Sequence, residues 1–380
     1  MFGKFKRHLD LKSTLQSRSA FLLGPRGTGK STLYHDGFPE SRTYDLLDER
    51  VYHSLLSNSS VLEQENPGHD QLIIIDEVQK LPKILDEVQR LIFKNNHRFL
   101  LTGSSARKLK RGGANLLGGR ARELHLFPLV SKEIPDFNLE FFLNRGGLPS
   151  VYLSSEPLDD LKSYISLYLR EEVANEALTR RVDAFARFLD VMALNNGEEL
   201  HFQNLSNDSG VQVKTLQNYV EILEDTLLGF QVPPFEATRK RKAITRSKFY
   251  LFDIGVTRIL AKRGEVTQGS ELFGKVFEHF IVLETRAALS YFKNDLPVQY
   301  WRTKTGFEVD MVLGDSHAFE IKASDQITER HLKGLKALRE EKKIKKFSVI
   351  SFVPNRRVID GIEIIPWKDY LEMLWGNEIR

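Results

Sequence analysis

The chain has 380 residues, 41% of them apolar and 28% charged, with a formal net charge of +4. That length holds about two to three domains, each able to bury a core. The absence of cysteine excludes a disulfide framework, a thiolate metal site and a cysteine nucleophile, and the charge excess is too small to argue nucleic-acid binding by itself. No apolar run approaches the roughly eighteen residues of a membrane span. The opening Met1-Phe2-Gly3-Lys4-Phe5-Lys6-Arg7 leads into no secretory apolar stretch. The expectation is a cytoplasmic enzyme with no membrane partner.

Ser19–Leu23, Thr43–Leu47, Leu72–Ile75, Phe99–Thr102 and Glu123–Phe127 read as five strands, separated by segments long enough for helices. This is the pattern of a parallel α/β sheet with ligands at the carboxyl ends of its strands. Directly after the first strand, residues 24–32 read GPRGTGKST. Gly24, Gly27 and Gly29 let consecutive backbone N–H groups turn inward around phosphate oxygens, with Pro25, Arg26, Thr28 and Thr32 completing the loop. Lys30 is placed for the β- and γ-phosphates and Ser31 for Mg²⁺, at the positive end of the helix that starts there. The run Leu72–Ile75 ends in Asp76 and Glu77, one acid for the metal shell and one to polarise an attacking water. Thr102 and Ser104 lie just past the fourth strand, where a hydroxyl can orient that water or merely close a turn. Arg120 and Arg122 precede the fifth strand; they fit either an arginine reaching a neighbouring subunit's nucleotide or a solvated basic turn.

In this order the motifs resemble the AAA+ ATPases. They are more closely similar to a prokaryotic family that joins such an ATPase to a C-terminal domain of unknown function. The likeness is carried by GPRGTGK, IIIDEVQKLP at 73–82, LLTGSSARKL at 100–109, GGRARELHLFPL at 118–129 and GGLPSVYL at 146–153, and it extends over nearly the whole chain. It implies ATP and Mg²⁺ as ligands of Lys30, Ser31, Asp76 and Glu77, with Arg120 or Arg122 as the finger. The arginines have no evident task in their own subunit, so a homo-oligomer is expected, a ring such as a hexamer.

After Leu129 the pattern turns helical, with Tyr164, Ile165, Leu167, Tyr168 and Leu169 and then Phe188, Leu189 and Met192 at helical spacing. This reads as a helical lid over 136–184. A short helix, the turn at Gly210 and a stripe of Val213, Leu216, Tyr219, Val220, Leu223 and Leu227 give a helix-turn-helix sign. Phe230–Val232 and Phe249–Phe252 read as strands of a wing. The basic run between them offers Arg239, Lys240, Arg241, Lys242, Arg246 and Lys248 as trackers of DNA phosphates, unless the loop is simply solvated and the module used for packing.

The last third, 263–380, carries Phe307–Leu313 and Ala318–Lys322 around the turn composition Gly314-Asp315-Ser316-His317. Alternation puts Glu320 and Lys322 on one face, and only an odd-length or bulged turn brings Asp310 to join them. Glu278, on a helix upstream, can complete the group. The arrangement resembles the PD-(D/E)xK nuclease fold, in which Glu278, Asp310 and Glu320 would hold Mg²⁺ while Lys322 positions a water. Open alternatives are a binding or oligomerisation domain and a salt-bridged hairpin.

The resulting reading is a P-loop AAA+ domain at 1–135, a lid at 136–184, a winged helix-turn-helix at 185–262 and a nuclease-like α/β domain at 263–380. Its function would be an ATP-hydrolysing machine on DNA. The alternative is a nucleotide-switched signalling or scaffold ATPase with a non-catalytic C-terminal domain.

Overall fold

The computed structural model describes residues 5–105, 117–172 (backbone alone over 169–172), 182–237, 241 and 243–379. They fall into two compact units. One is Lys4–Leu129 with Asp225–Leu228; the other is built from Val130–Glu224 and Gly229–Arg380.

In the first unit β1 (Ser19–Leu23), β2 (Arg42–Asp45), β3 (Leu72–Asp76), β4 (Arg98–Gly103) and β5 (Ala121–His125) lie in the order β2-β3-β4-β1-β5. All neighbours are parallel, so each connection has to cross over, and the helices Lys30–Gly37, Glu49–Ser57 and Ile84–Asn95 serve that need. Phe21, Ile73, Ile75, Phe99 and Leu101 pack with Leu85, Val88 and Leu91 in one core. Ile74 and Leu100 are equally buried, as expected of strands covered on both faces. β5 starts two residues before its apolar run suggests, because its ladder to β1 opens at Ser19 and Ala121 and carries Arg122 into the strand. With β3, β4 and β1 consecutive, their carboxyl ends bring Asp76, Thr102 and Gly24 to one edge of the sheet.

The second unit contains both segments that the sequence divides at 262. Helices Val182–Leu194, Phe202–Ser209 and Val213–Asp225 are packed through Tyr219, whose ring meets Phe185 at 5.0 Å and Phe188 at 5.3 Å. Gly210, at φ 67°, makes the turn between the last two. The antiparallel ribbon of β6 (Gly229–Val232) and β7 (Lys248–Leu251) follows. Beyond it β8 (Val298–Arg302), β9 (Glu308–Leu313), β10 (His317–Lys322), β11 (Lys346–Ser351), β12 (Arg357–Ile359) and β13 (Ile362–Pro366) form a mixed sheet in the order β12-β13-β11-β10-β9-β8. Leu332, Leu335 and Leu338 of the helix Glu329–Arg339 pack with Val309, Val312 and Val349. Elsewhere Phe319 meets Tyr370, which hydrogen-bonds Thr285 of the helix Glu271–Tyr291 at 2.6 Å.

Candidate functional site

In the first unit, Gly27 (φ 81°) and Gly29 (φ 91°) adopt the left-handed backbone that lets the loop fold back on itself. Arg7 holds the loop from outside, its guanidinium donating to the Thr28 carbonyl at 2.5 Å and the Phe127 carbonyl at 2.6 Å. Lys30 opens the helix Lys30–Gly37, and its Nζ donates to the carbonyls of Gly24 (2.7 Å) and Pro25 (3.1 Å). Burial pushes its ammonium below the ordinary lysine value, against the pull of Glu77 and Asp76. Arg26 is half-buried, while Ser31 and Thr32 are exposed on the first helical turn.

Asp76 is the hub. Its Oδ2 accepts from Tyr34 Oη at 2.8 Å and Ser31 Oγ at 3.3 Å, and its Oδ1 accepts from Thr102 Oγ1 and from the Glu77 N–H at 3.1 Å. Burial, then the Asp76 charge, pushes the Tyr34 phenol up. Glu77 sits at φ 56°, a conformation costing a non-glycine residue about 1–3 kcal/mol and typical of functional positions. Its Oε2 accepts from Gln79 Nε2 and from Ser104 Oγ at 3.2 Å, and Gln79 Nε2 also meets Ser104 Oγ at 3.1 Å. Gln79 finds room because Gly103 carries no side chain: a Cβ there would stand 2.5 Å from Gln79 Oε1. Ser31 and Asp76, paired oxygen donors beside the loop, suit Mg²⁺.

Sequence reasoning missed Arg7, Tyr34 and Gln79. Tyr34 was detectable, four residues after Lys30 on the same helical face; Gln79 lies only two residues beyond Glu77. Arg120 and Arg122 are exposed. Ala121 pairs with Ser19, so these arginines lie at the end of β1 away from the loop, about 16 Å from Gly24 along the strand.

In the second unit the three-residue turn 314–316 pairs His317 with Leu313 and Phe319 with Met311. That parity brings Asp310 to Glu320 and Lys322. Lys322 Nζ bridges Asp310 Oδ2 (3.1 Å) and Glu320 Oε1 (2.7 Å), and Asp310 Oδ2 also accepts the Ile321 N–H at 2.7 Å. Burial alone would raise Asp310, but Lys322 and Lys248 outweigh it and hold the carboxyl below its usual range. Glu320, buried beside Asp310, is pushed up to about 8. Glu278 bonds instead with Tyr250 Oη at 2.7 Å and Lys248 Nζ at 3.3 Å, and burial raises it despite that lysine. Among the described residues no three acids or histidines stand close enough to hold a metal ion. Of the acids expected to hold Mg²⁺, Asp310 and Glu320 share Lys322, while Glu278 stands beside Lys248.

Arg241 bonds Glu340 at 2.8 Å and the Ala337 carbonyl at 3.0 Å, Arg246 stands 3.9 Å from Glu199, and Lys248 is 4% exposed between Glu278 and Glu308. Arg241 and Lys248 are thus engaged with the protein's own acids, whereas Arg246 is exposed. Arg239, Lys240 and Lys242 lie outside the described residues.

A glycine-rich loop, an Asp-Glu pair and a hydroxyl-bearing strand end at one edge of a parallel sheet define a P-loop nucleotide site. Residues 16–135 match the family model described as "AAA domain", so the first unit is an AAA-type ATPase domain. Residues 136–267 and 273–370 match two models described as domains of unknown function, DUF8612 and DUF4143. The chain is 26% identical to an uncharacterized protein of Mycobacterium tuberculosis over 314 residues, 79% of this chain and 69% of that one. Among solved structures it resembles the Aeropyrum pernix ORC1 protein in complex with DNA, with a TM-score of 0.28 and 13% identity over 64% of this chain and 86% of that one. It also resembles a Pyrococcus horikoshii signal-transduction ATPase with a tetratricopeptide-repeat sensor, with a TM-score of 0.24 and 14% identity over 77% and 48%. Both scores are too low to establish a common fold. No described helix is long and apolar enough to cross a membrane.

Proposed function

We propose that the chain is a homo-oligomeric ATP hydrolase whose nucleotide cycle switches the binding properties of its second unit. The observation that carries the reading is the hydrogen-bonded set around Asp76 and Glu77, facing a lysine folded back onto its own loop. On ATP binding, Lys30 exchanges the Gly24 and Pro25 carbonyls for the β- and γ-phosphates. Ser31 and Asp76 would hold Mg²⁺, which would neutralise phosphate charge. Glu77, released from Gln79, polarises the attacking water, and Thr102 or Ser104 orients it. Arg120 or Arg122 acts on the nucleotide of a neighbouring copy, in keeping with a position remote from its own loop.

The lysine-filled acids favour a C-terminal domain that binds without cutting. DNA remains the partner in a second reading, supported by the exposed Gln212, Lys214 and Gln217 at the start of the helix after Gly210, residue types that read base edges and phosphates. The resemblance to an ORC1 protein solved with DNA adds no weight at its TM-score. ATP turnover measured against single strands, duplexes, forks and junctions separates the two. A rise of about tenfold with one DNA form makes the protein a DNA-coupled machine, whereas no response to any form leaves the switch.

A further inference from the structure

Lys248 is buried among the C-terminal acids. It lies in the β6–β7 ribbon, opposite Val232, and also bridges to Glu199. Its Nζ stands 2.9 Å from Glu308 Oε1 and 3.3 Å from Glu278 Oε1, with the Tyr300 ring centre at 5.3 Å. Tyr250, two residues on and therefore on the same side of β7, gives its hydroxyl to the same Glu278 oxygen. Lys322 fills the second gap, between Asp310 and Glu320. Four carboxylates thus share two ammonium groups, each between oxygens of two acids.

A divalent ion ligated by these oxygens would meet an ammonium within about 4 Å, where like charges repel strongly at low dielectric. The nitrogen cannot simply withdraw, because β7 is fixed by pairing on both of its edges and Lys248 is only 4% exposed. We propose that Lys248 is the resident cation of this centre: it takes the place of a divalent ion between Glu278 and Glu308 and fastens the β6–β7 ribbon to the β8–β9 edge as a metal-free lock. The acids serve to hold the lysine, and metal-dependent strand cleavage is absent while the ribbon is docked. This inference stands apart from the ATPase reading.

Mn²⁺ binding to the nucleotide-free full chain tests it, read by the electron paramagnetic resonance signal of free Mn²⁺. Wild type and Glu278→Gln should titrate alike, with only the Ser31–Asp76 region contributing. Lys248→Met should gain a Mn²⁺ site about tenfold tighter than any in the wild type, and lose it again when Glu308→Gln is added. Mn²⁺ binding by the wild type that falls in Glu278→Gln would make metal the resident cation and overturn the proposal. So would a folded Lys248→Met that gains no site. Should Lys248→Met fail to fold, melting of Glu278→Gln decides: a lysine lock lowers its melting temperature equally in EDTA and in Mn²⁺, whereas a resident metal gives a loss in Mn²⁺ alone.

Discussion

Replacing Gln79 with leucine should raise the basal rate of ATP hydrolysis. The Gln79 amide donates to the Glu77 carboxylate, and a carboxylate held this way has to break that bond before it can turn to a water. A hydrogen bond to a charged group contributes about 1.5–3 kcal/mol, which corresponds to roughly ten- to a hundredfold in rate. Ser104 keeps its own bond to Glu77 at 3.2 Å in the variant, so the gain should fall near the lower end, about tenfold. Folding should change by less than about 1 kcal/mol, since leucine is of similar size and Gln79 Oε1 is already buried without a partner. Gly103→Ala gives an independent route, because its new Cβ would displace the Gln79 amide from the other side. Phosphate release at saturating ATP, with nucleotide affinity and melting temperature as controls, reads the effect. A turnover number that stays level or falls while both controls hold would mean that Gln79 orients Glu77 for catalysis, and the restraint argument would be refuted.

Lys30→Ala should abolish nucleotide binding and turnover together, while Glu77→Gln keeps ATP bound and slows hydrolysis by about a hundredfold or more; equal loss of binding in both contradicts the assigned roles. Mixing Lys30→Ala subunits with Arg120→Ala, Arg122→Ala subunits should restore part of the activity by pairing an intact site with an intact finger, and a fully active monomer in sedimentation and turnover assays rules that out. His317, 4% exposed, is lowered to about 4 by burial and by Lys346, against about 6.5 in the unfolded chain. Its neutral form therefore stabilises the fold fully above pH 6.5, and that stability is lost as pH falls toward 4, by roughly 2 kcal/mol between pH 7 and pH 5. Urea unfolding at those two pH values should show a smaller drop in His317→Gln, and an equal drop would assign the acid sensitivity to other groups.

The nucleotide site was legible because it is local. The loop, the lysine and the serine are contiguous, the acid pair ends a strand whose burial shows in its apolar run, and both halves meet through a sheet order common to such patterns. The C-terminal hairpin was legible only conditionally: alternation joined Glu320 to Lys322, but Asp310 depended on the parity of a turn that composition alone leaves open. The ion pairs of the basic segment were not legible, for a different reason. Lys248 and Glu278 are 30 residues apart and Arg241 and Glu340 are 99 apart, so the acids that neutralise these cations approach only after β7 and the helix Glu329–Arg339 have docked on the sheet. A string of cations read without those partners looks solvated. Arg7 escaped notice likewise, since its two acceptors are backbone carbonyls at Thr28 and Phe127, which leave no mark in side-chain chemistry.

The outer strand β8 carries one more consequence. A sheet edge with free N–H and C=O groups is a template for another copy of the chain. Here the stretch between β6 and β7 covers it: Phe235 donates to the Tyr300 carbonyl at 2.7 Å, Tyr300 to the Pro233 carbonyl at 3.1 Å and Ile244 to the Arg302 carbonyl at 2.8 Å. A fragment beginning at residue 263 would keep all six strands and shed this cover, leaving Tyr300 and Arg302 to pair with whatever β-strand arrives next. Such a fragment should aggregate or exchange strands, and a soluble C-terminal piece has to begin upstream of Gly229 and carry its own edge guard.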